Sequence, residues 1–105
     1  GFGITSAQAE TAGAKVYSFP FRAIGKAVAI GKSEGMVKIL ADGSGKILGA
    51  HIIGAEATEL IHELAIAASN GVRMQDIAGT IHAHPTLSEA IKECCCGFEN
   101  RVIHL

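Results

Sequence analysis

The amino-acid sequence predicts an α+β domain, an antiparallel sheet of about four or five strands with helices packed on it. Three observations carry this. Two apolar arms, MVKILAD and KILGAHIIG, flank Gly43-Ser44-Gly45, which is hairpin turn chemistry. The stretch EATELIHELAIAASNG repeats its apolar residues with a helical period. A chain of 105 residues that is 49% hydrophobic has material for one core and not for two.

The elements follow in order. Phe2 to Ile4 is expected to be a short strand. Thr5 or Ser6 is placed to cap a short helix through about Ala12, because a Ser or Thr oxygen satisfies the free N–H groups of a first turn. Gly13 then ends it with a positive φ. AKVYSFPF (14–21) is a strand whose Pro20 marks its end or an edge position. RAIGKAVAIG (22–31) is Ala-rich but broken by Gly25 and Gly31, and is expected to be irregular or partly strand-like. In the second hairpin arm, alternation puts Ile47, Gly49, His51 and Ile53 on one face and Leu48, Ala50 and Ile52 on the other. Both faces are largely apolar, so this strand is expected to be covered on both sides.

In the long helix, Ala57, Leu60, Ile61, Leu64, Ala65 and Ala68 form the core-facing stripe. Glu56 and Glu59 lie near its positive N-terminal end, and Asn70-Gly71 stops it. Ile66 and Ala67 on the opposite side make the helix apolar over more than one stripe, which suggests a partner surface. A shorter helix around Met74 to Gly79 leads into TIHAHPTLSEAIKE (80–93), where Thr86 is placed to cap a helix running through about Glu93.

Nine basic and ten acidic residues, spread without long like-charge blocks, give a net charge of -1. That balance offers no footprint for nucleic acid or an anionic membrane. No apolar run approaches the roughly 18 residues of a membrane-spanning helix, and no signal-peptide pattern is present. Cys94, Cys95 and Cys96 are consecutive, so they make neither a spaced disulfide framework nor a C-x-x-C pair, and a reducing compartment is expected. They read as a helix end or tail with incidental thiols, able to cross-link two chains in oxidising buffer.

Several motifs fail on inspection. IGKS (30–33) resembles the end of a phosphate-binding loop, but Lys26 stands where that loop requires its first glycine. Gly43-Ser44-Gly45 precedes a strand instead of following one and is no dinucleotide fingerprint. HELAI (62–66) has Ile66 where a zinc-protease helix needs its second histidine.

The stretch 80–93 carries three readings. Thr86-Leu87-Ser88-Glu89 fits a capping box, with Glu89 reaching back to the Thr86 N–H and His84 a bystander. Alternatively, Glu89 accepts a proton from one ring nitrogen of His84, fixing its tautomer and stabilising the protonated ring, while the other nitrogen serves as a general base. In a third reading, His82 and His84 point the same way from an extended segment and bind a metal, although no third ligand is evident.

The wording of the sequence adds a resemblance. GKILGAHIIGAEATELIHELAIAASNGVRMQDIAGTIHAHPTLSEAIKE closely resembles the C-terminal interface domain of the dihydrolipoamide dehydrogenases, within the flavin-dependent pyridine nucleotide–disulfide oxidoreductase family. FGITSAQAETAG, FPFRAIGKAVAIGKSEGMVKILAD and the hairpin occur in the family's order, so the resemblance covers nearly the whole chain to Glu93. HAHPTLSEA is its most specific element. Relatives acting on glutathione or trypanothione look similar around the His-Pro pair but typically differ at the residues matching Leu87 and Ser88.

What the resemblance implies is specific. Residues 1–93 would be an interface or dimerisation domain forming much of a homodimer contact, with 94–105 an unassigned tail. His84 and Glu89 would reach into the partner subunit's active site, where the histidine shuttles protons to and from the dithiol substrate and a redox disulfide beside FAD. His82 matches a family position without that role. The intact enzyme would use FAD and NAD to reoxidise the dihydrolipoyl groups of 2-oxoacid dehydrogenase complexes, in the cytoplasm or, for a eukaryotic source, the mitochondrial matrix. The flavin-binding βαβ unit, the redox C-x4-C pair and the NAD domain have no counterpart here. The fragment is therefore expected to bind no cofactor or metal itself and to be inactive alone. The alternatives are a non-catalytic binding or assembly module of the same fold, or the interface domain of a related flavin disulfide reductase.

Overall fold

The hairpin organises the sheet. In the computed structural model, which describes the backbone of residues 1–103 and the side chains of residues 1–98, β3 (Gly35–Ala41) pairs antiparallel with β4 (Ile47–Gly54). Asp42 holds the turn between them. Its Oδ1 accepts hydrogen bonds from the Ser44 hydroxyl at 2.7 Å, the Ser44 N–H at 2.9 Å and the Lys46 N–H at 3.1 Å. Gly45 supplies the left-handed residue that closes the turn, with φ 87°. β2 (Lys15–Pro20) adds to the far side of β3, and the two-residue β1 (Phe2–Gly3) adds to β4, giving the order β1-β4-β3-β2. Pro20 is thus both the last residue of its strand and on an edge, where its missing N–H breaks no ladder. The result is the expected α+β architecture with an antiparallel four-stranded sheet.

One face of the sheet is the floor of the core. Tyr17, Ile39 and Ala50 are aligned across β2, β3 and β4, with Val37 and the partly buried Phe19 and Ile52 beside them. A register shift between Leu40 and Ala41 sets Ala41 opposite Ile47, and both residues join this core. The bulge therefore takes Ile47 off the face of Gly49 and His51, where strict alternation put it. On the other face Leu40 and Gly49 are buried under the segment that follows β1. Lys38 Nζ donates to Ser6 Oγ at 3.0 Å, and His51 Nε2 lies 2.9 Å from the Ile4 carbonyl. That cover stops short of Ile53, which is exposed, so β4 is covered on both sides over its first part but not at its end.

Two segments differ from expectation. Residues 5–12 form a 3-10 turn over Ser6–Gln8 followed by further turns, not a continuous helix. Ala9 is buried in this stretch while its neighbours face outward, so there is no apolar stripe to hold a longer helix. Residues 21–29 are helical, not irregular or strand-like: a 3-10 turn at Phe21–Ala23 runs into α1 (Gly25–Ala29). Phe21, Ile24 and Ala27 recur every three residues and are all buried, a helical spacing that Gly25 within it and Gly31 after it obscured.

α2 (Ala57–Ser69) packs on β4. Leu64 and Ala67 are its buried residues, with Leu60, Ile61 and Ala68 partly buried. The core stripe is thus rotated toward Ala67, which had been placed on the opposite side, while Ile66 is 65% exposed. α3 (Met74–Ala78) is short and is capped by Asp76, whose Oδ2 accepts the Arg73 N–H at 2.9 Å. α4 (Glu89–Ile103) does not end near Glu93. Ala90, Cys94 and Phe98 follow each other at four-residue steps, as do Ile91 and Cys95, and all five are buried. Cys94 and Cys95 act as small core hydrophobes, and Phe98 meets Tyr17 edge to face at 5.9 Å. The helix therefore runs through the point beyond which 94–105 was set apart as a tail; residues 104–105 lie outside the described residues.

Candidate active site

Between α3 and α4 the chain runs without regular structure; this segment carries His82 and the exposed His84, and Glu89 stands at its end as the first residue of α4. Glu89 opens α4, so its carboxylate lies at the positive end of that helix. Its Oε1 accepts the Thr86 N–H at 2.9 Å, which satisfies a donor the helix cannot. The reciprocal half of the capping box is absent. The Thr86 hydroxyl donates to the Ala83 carbonyl at 2.6 Å and pairs with the Ser88 hydroxyl at 3.1 Å.

The same carboxylate binds His84. Nδ1 of the imidazole lies 2.9 Å from Oε1 and 3.1 Å from Oε2, so its N–H is shared between the two oxygens. Capping and histidine pairing therefore coexist in Glu89. The His84 hydrogen bond, followed by that from the Thr86 N–H, holds the Glu89 carboxyl below its ordinary value. The Glu89 side chain is 23% exposed and that of His84 79%. With Nδ1 committed as a donor, Nε2 of a neutral ring is the proton-accepting atom, and it sits on the open part of the side chain. The His84–Pro85 peptide bond is cis.

His82 takes a different direction. Its ring is 9% exposed, with Nε2 2.7 Å from Oε2 of Glu63 on α2 and Nδ1 3.0 Å from the Thr80 carbonyl. The two histidines thus engage two separate carboxylates. Among the described residues no group of three or more His, Cys, Asp or Glu side chains comes together to hold a metal ion. Glu63 was missed in the sequence because it lies far from His82 along the chain and looks like an ordinary polar position on α2.

Every paired strand among the described residues is antiparallel, and Gly43-Ser44-Gly45 merely joins two of them. No strand–glycine loop–helix crossover is available to receive a dinucleotide pyrophosphate. The three cysteines form no disulfide with one another, and burial pushes the Cys94 thiol up to about 12. No helix among the described residues is long and apolar enough to cross a membrane.

Residues 1–95 match the dimerisation domain of the pyridine nucleotide-disulphide oxidoreductases. Dihydrolipoyl dehydrogenase 2 of Haloarcula marismortui is 44% identical over 105 residues, which is 97% of this chain and 22% of that protein. The mitochondrial dihydrolipoyl dehydrogenase 2 of Arabidopsis thaliana is 50% identical over 91 residues, 86% of this chain and 18% of that protein. Among solved structures, LpdA from Mycobacterium tuberculosis superposes with a TM-score of 0.84 at 26% identity, covering 90% of this chain and 21% of that one. The HOCl-induced flavoprotein disulfide reductase RclA of Escherichia coli gives 0.81 at 26% identity, over 90% of this chain and 22% of that one. The chain spans about a fifth of the length of the curated relatives it matches.

Proposed function

Since the chain belongs to the pyridine nucleotide-disulphide oxidoreductase family as a dimerisation domain of the dihydrolipoyl dehydrogenase type, we propose that it completes a partner subunit's active site with His84 as proton carrier and Glu89 as its support. One observation carries this reading: His84 presents an exposed ring whose Nδ1 is fixed between both oxygens of Glu89. A histidine serving only as a neighbour to a helix cap has no need of that bidentate hold.

In this role Nε2 takes a proton from a substrate thiol as the thiolate forms, and the adjacent carboxylate stabilises the resulting imidazolium. The proton leaves by the same atom, so the pair is reset after each turnover. Glu89 remains ionised throughout, consistent with the hydrogen bonds that lower its carboxyl. The electron-carrying chemistry, with FAD and NAD, belongs in this proposal to parts of the enzyme outside these residues. The substrate class is the dihydrolipoyl group of 2-oxoacid dehydrogenase complexes. The setting is the cytoplasm or, for a eukaryotic source, the mitochondrial matrix; the names of the plant relatives call them mitochondrial. The interface domain in this proposal takes in residues 1–93 together with the continuation of α4 that buries Cys94, Cys95 and Phe98 in the same core. The test is dihydrolipoamide oxidation by the full-length enzyme with His84→Gln: a folded dimer with normal turnover would end the reading.

A further inference from the structure

His84 stands in a segment without regular structure, which Glu89 ties to the start of α4 through the His84 ring and the Thr86 N–H. Residues 79–88 contain no helix or strand, and Ile81 is 92% exposed. Two short hydrogen bonds tie the segment to itself and to α3: Thr80 Oγ1 donates to the Asp76 carbonyl at 2.7 Å, and Thr86 Oγ1 donates to the Ala83 carbonyl at 2.6 Å. Neither reaches the long helix α2. The contact that does is His82 with Glu63, 2.7 Å apart and with the imidazole nearly buried.

Both ring nitrogens of His82 face oxygen acceptors, the Thr80 carbonyl and the Glu63 carboxylate. A carboxylate can only accept, so Nε2 donates to Glu63, and a hydrogen bond to such an acceptor is strong and exacting in direction. It pins the backbone at residue 82, and Ala83 is the one residue between that anchor and His84.

Resting on the reading of His84 as a proton carrier, we infer that His82 and Glu63 are positioning residues for it: their hydrogen bond anchors the 80–86 segment to α2 and sets where the His84 ring stands. Proton transfer tolerates little error in such a placement, since a shift of about 1 Å can cost on the order of 10²-fold in rate.

The test uses the full-length enzyme and steady-state oxidation of dihydrolipoamide by NAD, with kcat and KM separated and the dimer verified by sedimentation. Glu63→Ala is expected to lower kcat roughly ten- to a hundredfold with KM nearly unchanged. Glu63→Gln, which keeps an acceptor for the ring, is expected to recover most of that loss, a recovery that simple loss of helix packing would not produce. In a His84→Gln background Glu63→Ala is expected to add nothing, because the ring it positions is gone. If Glu63→Ala does not yield a folded dimer, His82→Gln takes its place, with a comparable fall in kcat expected. Full kcat in folded Glu63→Ala or His82→Gln dimers, or losses that simply multiply with His84→Gln, would overturn the inference while leaving His84 as proton carrier. A silent His84→Gln would instead remove that reading, and this inference with it.

Discussion

His84 Nδ1 lies within 3.1 Å of both carboxylate oxygens of Glu89, and one of those oxygens also accepts the Thr86 N–H. A single side chain thus starts a helix and holds a surface imidazole in one orientation. The two jobs have different consequences when the residue is changed, which is what makes them separable.

In the full-length enzyme, His84→Gln is expected to lower dihydrolipoamide turnover by about 10²–10⁴-fold, the usual contribution of general acid–base catalysis. Glu89→Gln keeps an acceptor for the Thr86 N–H but removes the charge that supports an imidazolium, so a smaller fall is expected while the dimer persists. A pure capping role predicts the reverse ranking, with Glu89→Gln the more damaging substitution in melting temperature and His84→Gln silent in turnover.

Acid should loosen the fold in a direction the carboxylates set. The His84 hydrogen bond lowers Glu89 from its ordinary 4.5, and the Ser44 hydroxyl, foremost, lowers Asp42 from 3.8. Between the folded and unfolded values the unfolded chain binds more protons, so stability falls as pH falls through that window and is fully present above it. Melting temperature between about pH 5 and about pH 3 should therefore decline more steeply for the parent than for a Glu89→Gln/Asp42→Asn variant. Parallel declines would show that these carboxylates contribute nothing to the acid response.

Phe98 should be as much a part of the core as any residue of the sheet. It is buried and packs on the Tyr17 ring, and Phe98→Ala is expected to cost about 3–5 kcal/mol in equilibrium unfolding. A loss below about 1 kcal/mol would mean that residues beyond Glu93 do not belong to the folded unit.

Thiol reagents should distinguish the three neighbouring cysteines. Burial pushes Cys94 up to about 12 and raises Cys95 as well, whereas Cys96 is only partly buried. The native protein is expected to take up one equivalent of an aromatic disulfide reagent at most, and three after unfolding. Rapid native labelling of two or three would contradict the placement of α4. The same burial leaves Cys96 as the thiol able to cross-link chains in oxidising buffer, and reductant should abolish any dimer it forms.

Association should draw on the face beside the candidate site. Ile66 and Ile81 stand exposed on either side of the His82–Glu63 pair and line one shallow depression with it. Ile66→Glu is expected to weaken the dimer of the full-length enzyme at least tenfold by sedimentation, as a charge placed in an apolar contact would. Unchanged dimerisation would exclude this face from the contact.

Much of this protein was legible in its sequence because the deciding interactions are local. The Gly43-Ser44-Gly45 turn sits between two apolar arms, so the hairpin and its approximate register followed from neighbours in the chain. His84 and Glu89 are five residues apart at a helix start, and capping geometry alone brings them close. Helix α1 was hidden because its signal, Phe21-Ile24-Ala27, is a short apolar spacing interrupted by Gly25, whose meaning depends on what covers it. The bulge turns Ile47 into the core and off the face of Gly49 and His51, and a pattern of alternation has no means of showing where a strand gains a residue.

The tertiary structure alone decided the rest. α4 continues past Glu93 because Cys94, Cys95 and Phe98 find a sheet to bury against, and a run of cysteines carries no such instruction. Glu63 meets His82 across nineteen positions because α2 and the segment after α3 are packed side by side. A contact of that kind exists only once the chain has folded: hydrogen bonding and electrostatic attraction act through space, and sequence separation says nothing about which carboxylate will stand opposite which ring.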